Sequence, residues 1–172
     1  MAIRFPIEDL RPLGRSARGV NSMKLRAADT IIGCDIVPRN YDADLLVVTS
    51  DGFGKRTKLS EFRTQNRGGI GLIATKFKSN MSRLVALTIV EEKDEIMMVT
   101  ANGIVTRIKA GDISCQGRPA TGVRAQNLTD NDTVVSVNKI VNTDKDDDGD
   151  TIPSGGCSIE DMTEGEQTTL TE

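Results

Sequence analysis

The apolar residues of this chain fall in short runs broken by polar turns. DLLVVTSDGFG at 44–54 and EIMMVTANGIV at 95–105 each read as an apolar strand, a turn and a second strand. Asp51-Gly52 and Asn102-Gly103 predict tight hairpins of type I′, which need positive φ at both central residues. A third kind of run follows each glycine loop: VNSMKL (20–25), LIATKF (72–77) and VRAQNL (123–128). A fourth closes each unit: TIIGCDIV (30–37), LVALTIV (84–90) and TVVSVNKI (133–140). Runs of this length between turn signals predict an all-β chain.

The runs recur in register. IRFPIEDLRPLGRSARGV (3–20), KRTKLSEFRTQNRGGIGL (55–72) and TRIKAGDISCQGRPATGV (106–123) align at offsets of 52 and 51 residues. Arg4, Arg56 and Arg107 coincide, as do Asp9, Glu61 and Asp112. So do Arg15, Arg67 and Arg118, and then Gly19, Gly71 and Gly122, each followed by Val or Leu. Four strands in about fifty residues is the arithmetic of propeller-like blades. The boundaries predicted are a partial blade at 1–43, a blade at 44–93, a final blade at 94–142 and a disordered acidic tail at 143–172. The first unit lacks its opening hairpin strand, so a fragment of a larger protein is expected.

TQNRGGIGL (64–72) is the anomaly in this pattern. Gly68, Gly69 and Gly71 are too many for a strand interior. Glycine lets a backbone come close to a partner, and tight turns present N–H groups outward. Arginine at the entry of the loop suits phosphate oxygens. Lys55, Arg56, Lys58, Arg63 and Arg67 lie within thirteen residues, so the middle unit is the most basic. Clusters repeated at a fixed interval would line one rim, a plausible track for bent duplex DNA gripped by its backbone charge. A tight turn with solvated arginines is the plainer reading, but turn geometry alone does not call for Arg in all three units.

Gln65-Asn66-Arg67-Gly68-Gly69-Ile70-Gly71 resembles the Q-x-R-G-G-x-G box in the C-terminal domain of the DNA gyrase A subunit. GFGKRTKLSEF (52–62), DEIMMVTANGIVTRI (94–108) and the GRxxxGV loops at 14–20 and 117–123 resemble the same family. Residues 1–142 carry the likeness. It implies a β-pinwheel fragment made of four-stranded blades, with strands exchanged between neighbours. It also implies a basic rim that wraps duplex DNA chirally and supports ATP-dependent negative supercoiling by the whole type IIA topoisomerase. The implied partners are the remainder of the gyrase A polypeptide and the ATP-hydrolysing B subunit, in the bacterial cytoplasm. The DNA contacts expected are Arg15, Arg18, Arg56, Lys58, Arg63, Arg67, Arg118 and Arg124, with Gly68, Gly69 and Gly71. Asn66 and Ile70 depart from the strongest form of the box, which carries basic residues there. Topoisomerase IV has a similar domain in its own A-type subunit, and a protein-interaction propeller is the competing class.

Composition narrows the chemistry. The chain has no His, which removes the usual general base and most zinc sites. No catalytic residue, metal or cofactor is expected in this fragment; the family's catalytic tyrosine belongs to a separate region, and Tyr41 reads as a connector. Cys34, Cys115 and Cys157 are scattered and odd in number, which points to a reducing compartment. No apolar run is long enough to span a membrane, and MAIRFPIEDL has no apolar signal core. The formal net charge of −3 conceals a split. Residues 1–142 hold 21 Lys and Arg against 15 Asp and Glu, a balance of +6, whereas 143–172 hold 1 against 10, a balance of −9. DKDDDGD (144–150) matches half of an EF-hand loop, but Gly155 stands where the bidentate Glu is needed. The acidic tail is expected to compete with DNA for the basic rim.

Overall fold

Both faces of strand β1 (Asp44–Thr49) are covered, so all six of its residues are buried. That is why DLLVVT reads as a continuous apolar run. Leu45 and Val47 join a cluster with Ala43, Leu59, Phe62, Ala74 and Ile89, on the side of the first repeat. Leu46 and Val48 join a second cluster with Val90, Ile96, Met98, Ala110, Ile113 and Val134, on the side of the third. Strand β4 (Glu95–Thr100) holds the equivalent place in the third repeat and buries alternate residues only, Ile96, Met98 and Thr100.

This computed structural model describes residues 1–140, all within one compact unit, Met1–Val141. Its other strands are β2 (Phe53–Lys58), β3 (Leu84–Val90), β5 (Val105–Lys109), β6 (Val123–Arg124) and β7 (Val134–Ile140). They form two antiparallel sheets, one ordered β3-β1-β2-β6 and one ordered β5-β4-β7. Short 3-10 turns follow β2 and β5, at Leu59–Glu61 and Ala110–Asp112, and a third stands at the matching place of the first repeat, Ile7–Asp9. Among the described residues no helix is long and apolar enough to cross a membrane. The acidic tail and the calcium-like DKDDDGD lie outside the described residues.

The sheet of the second repeat is completed by a strand of the third. β6 pairs with β2 through Phe53↔Arg124 and Gly54↔Val123. The first and second repeats repeat the exchange, with Ala2↔Leu72 bridged by hydrogen bonds of 2.8 and 2.7 Å. The exchange that the family resemblance implied is therefore present. It corrects the count of four strands drawn from each unit's own sequence. Residues 20–25, 30–37 and 72–77, expected as strands, form none, the last contributing only the Leu72 bridge. Among the described residues no hairpin strand stands beside 30–37 as β1 stands beside β3. The Asp35 carboxylate instead accepts the Ile89 N–H at 2.9 Å, holding this segment against β3.

The hairpins are where the sequence places them, but not as type I′ turns. Only Gly52 and Gly103 take positive φ, at 77° and 83°; Asp51 and Asn102 do not. The Gly52 N–H donates to the Thr49 carbonyl at 3.0 Å, and Gly103 to Thr100 at 3.0 Å. Each loop is thus a turn followed by a left-handed glycine.

Candidate nucleic-acid interface

The glycine box clasps one repeat to the next. The Gly68 N–H donates to the Ser22 carbonyl at 2.8 Å, and the Lys24 N–H donates to the Gly69 carbonyl at 2.8 Å. The Arg67 guanidinium donates to the Asn21 carbonyl. The third repeat uses equivalent groups: Lys76 N–H to the Ala120 carbonyl at 3.3 Å, and Arg118 Nη1 to the Ile73 carbonyl at 3.3 Å. Gly71 (φ 81°) and Gly122 (φ 100°) sit where the exchanged strand meets the preceding blade. A Cβ on Gly71 would lie 2.4 Å from the Ala2 carbonyl oxygen, and on Gly122 2.6 Å from that of Gly54. These two glycines are demanded by strand exchange. Gly71 therefore faces the neighbouring repeat, and the Gly68 N–H is already used. Both points correct the expectation of a loop with outward-facing N–H groups.

Arg56 is also corrected. Its residue is 4% exposed and its guanidinium is enclosed by protein. Nη1 lies 2.7 Å from Asp44 Oδ2, Nε donates to the Ile113 carbonyl at 2.8 Å, and Nη2 donates to the Gly111 carbonyl at 3.3 Å. A guanidinium so engaged ties β2 to the next repeat and is removed from any surface contact. Lys58 keeps an exposed side chain, but its Nζ lies 3.1 Å from Asp44 Oδ1. The Asp44 partner raises its pKa, so its charge is partly compensated.

The other expected cations stand differently. Arg15, Arg18, Arg63 and Arg124 are exposed; Arg67 and Arg118 are half-buried, anchored through one nitrogen. Arg118 also lies over the Phe62 ring at 6.0 Å. Arg124 and Lys78 share the Phe53 ring, at 5.8 and 4.6 Å from its centroid. Cation–π contact holds long side chains in place while leaving their charge available. Lys78 was missed from the sequence, where its signal was a lysine pair bracketing Phe77 in the run after the box. Cys34 and Cys115 are free and exposed. The Tyr41 hydroxyl donates to Glu91, and this bond raises its pKa.

Comparison with known proteins agrees with this architecture. The family described as "DNA gyrase C-terminal domain, beta-propeller" matches residues 1–38, 43–91 and 94–141. The DNA gyrase A subunit of Staphylococcus epidermidis is 41% identical over 138 residues, 80% of this chain and 16% of that protein. The DNA gyrase A subunit of Staphylococcus aureus is 38% identical over 162 residues, 94% of this chain and 18% of that protein. The chain thus spans less than a fifth of the length of these relatives. Among solved structures, a DNA gyrase A C-terminal domain superposes with a TM-score of 0.68 at 33% identity, over 77% of this chain and 45% of that one. A DNA topoisomerase IV C-terminal domain superposes with a TM-score of 0.74 at 28% identity, over 79% and 42%. Three matched repeats, two strand exchanges and these relatives agree, and the chain belongs to the DNA gyrase C-terminal β-propeller domain family.

Proposed function

We propose that this chain grips and wraps duplex DNA on its basic rim, as part of a cytoplasmic gyrase A polypeptide that works with an ATP-hydrolysing B subunit. The single observation that carries the reading is the threefold recurrence of Arg15, Arg67 and Arg118 at the same loop position. The repeats add exposed Arg18, Arg63, Arg124 and Lys78, the last two held over Phe53. Guanidinium groups at one repeat spacing match a curved phosphate backbone and carry no base code. In this reading the chain makes and breaks no bond. It supplies the wrapped segment on which the rest of the enzyme acts. The likeness in backbone to a topoisomerase IV domain favours a second reading, the same grip with different handedness or extent of wrap.

The test is topological. Relaxed plasmid is incubated with the chain, a separate topoisomerase relaxes the complex, and the linking number is read after protein is removed. A shift that grows with protein, and shrinks when Arg18, Arg63 and Arg124 become Gln, supports chiral wrapping. Its sign and its size per bound chain separate the gyrase and topoisomerase IV readings. Affinity should fall with salt, the slope lessening by roughly 0.9 for each phosphate that a variant no longer neutralises. Binding that ignores salt would sink the proposal in favour of a protein-docking propeller.

A further inference from the structure

Three segments far apart in the chain meet at one aromatic ring. Phe53 opens β2 and is half-buried. Arg124 lies directly opposite it on β6, in the register Phe53↔Arg124. Residues paired in this way keep their side chains within reach of each other. Lys78 arrives from the segment between the glycine box and β3. Its Nζ lies 4.6 Å from the ring centroid, and the guanidinium carbon of Arg124 lies 5.8 Å from it. Both cationic residues are exposed.

Neither charge is matched by a carboxylate. Among the described residues, no ion pair involves Lys78 or Arg124. Asp51 feels the Lys78 charge, but its oxygens accept from the Thr49 and Ser82 hydroxyls at 2.5 and 2.6 Å. Other cations of these two repeats are engaged. Arg56 and Lys58 pair with Asp44, Arg107 with Glu95 and Lys139 with Asp94, while Arg67 and Arg118 each give a nitrogen to a carbonyl. Two like charges gathered on one ring repel each other, and an anion set against both relieves that repulsion. The ring also removes part of the ordering cost that a free lysine or arginine meets on binding. The cluster is not part of the repeat, since Ile104 stands where Phe53 does and Thr129 where Lys78 does.

Given the DNA-gripping rim proposed above, we propose that Phe53 is a positioning residue for that grip: it holds Lys78 and Arg124 together, ready for the phosphodiester backbone. The contact belongs to the junction of the second and third repeats, because Arg124 reaches the ring only through the pairing of β6 with β2. Phe53 itself carries no charge and neutralises no phosphate. Its contribution is preorganisation, so it acts on affinity without adding to the number of phosphates neutralised. The contact reads no bases, since both cations are point partners of backbone oxygens.

The test measures the affinity of the full chain for a short random-sequence duplex across a range of salt concentrations. Phe53→Ile removes the ring, keeps both charges and installs the residue that the third repeat carries at Ile104. It should bind about fivefold more weakly at every salt concentration, with the salt slope unchanged. Phe53→Tyr keeps a ring and should restore wild-type affinity. Lys78→Gln and Arg124→Gln should each lessen the slope by roughly 0.9. With both in place, adding Phe53→Ile should change nothing further, because no cation is left to position. A ring that merely supports the hairpin would still cost affinity in that background. Phe53→Leu serves if Phe53→Ile unfolds. Ring-less variants that bind like wild type, or a loss that persists without the two cations, overturn the proposal while the DNA grip itself stands. A wild-type chain with no salt-dependent binding overturns both.

Discussion

The second and third repeats carry the same pattern of strands, turns and key residues in two different surroundings. In the second, Arg56 and Asp44 form a buried ion pair. In the third, their counterparts Arg107 and Glu95 pair on the surface. A Cβ on Gly52 would lie 2.5 Å from the carbonyl oxygen of Gln126, while one on Gly103 would meet nothing within 4 Å. The fold of a blade is thus written locally, but the work done by each residue depends on whether a neighbouring blade covers it.

The largest expected contrast lies in these ion pairs. Arg56→Ala leaves buried Asp44 with only the exposed Lys58 as partner and frees the carbonyls of Ile113 and Gly111. It should cost about 3–5 kcal/mol in urea unfolding. Arg107→Ala removes the same pair at the surface and should leave the midpoint nearly unmoved. Equal losses would mean that the two blades unfold with equal protection and that coverage by a neighbour decides nothing.

This contrast also marks the limit of what could be read from residues alone. The repeats, the hairpins β1–β2 and β4–β5 and the strands β3 and β7 were legible, because alternation and turn glycines are local signals. KRTK and TRIK give no local hint that Arg56 is enclosed and Arg107 is not. The hint lay one strand away. DLLVVT is apolar at positions that should alternate, so the strand beside it had to be covered on both faces. The exchange of strands was hidden for a similar reason. Gly71 and Gly122 look like loop residues until the carbonyls of Ala2 and Gly54 are found against them. At the rim, three arginines in register were visible, but the Phe53 ring that gathers Lys78 and Arg124 comes from a different repeat than Arg124.

A second contrast uses the turn glycines. Gly52 and Gly103 share a conformation and differ in their neighbours. Gly103→Ala meets only backbone strain, on the order of 1 kcal/mol. Gly52→Ala adds a clash with the Gln126 carbonyl and should cost about 2–4 kcal/mol. Thermal unfolding measures both. Similar losses would show that the donated strand gives way easily, which would weaken the account of the junction as closely packed.

The smallest effect concerns Lys55 and its counterpart Thr106. Lys55 is wholly buried, and its Nζ donates to the Gly117 and Arg118 carbonyls at 2.7 and 2.5 Å. Thr106 instead accepts a hydrogen bond from Gln126 at 3.1 Å and has no charge to bury. Burial lowers the Lys55 pKa; Glu61 opposes the shift and Arg118 adds to it. The unfolded chain keeps this proton up to the ordinary lysine value of 10.5, while the folded chain releases it earlier. Between those two points the unfolded state binds more protons, so stability rises with pH. The charge therefore weakens the fold at neutral pH, and that cost is relieved as pH climbs towards 10.5. Lys55→Met removes the titration, and the other groups that titrate there cancel between the two proteins. In urea unfolding from pH 7 to 10.5, wild type should gain on the variant steadily across the upper part of the range. A constant difference would mean that water reaches the ammonium in the folded state, and that the junction beneath the Gly117–Arg118 loop is open.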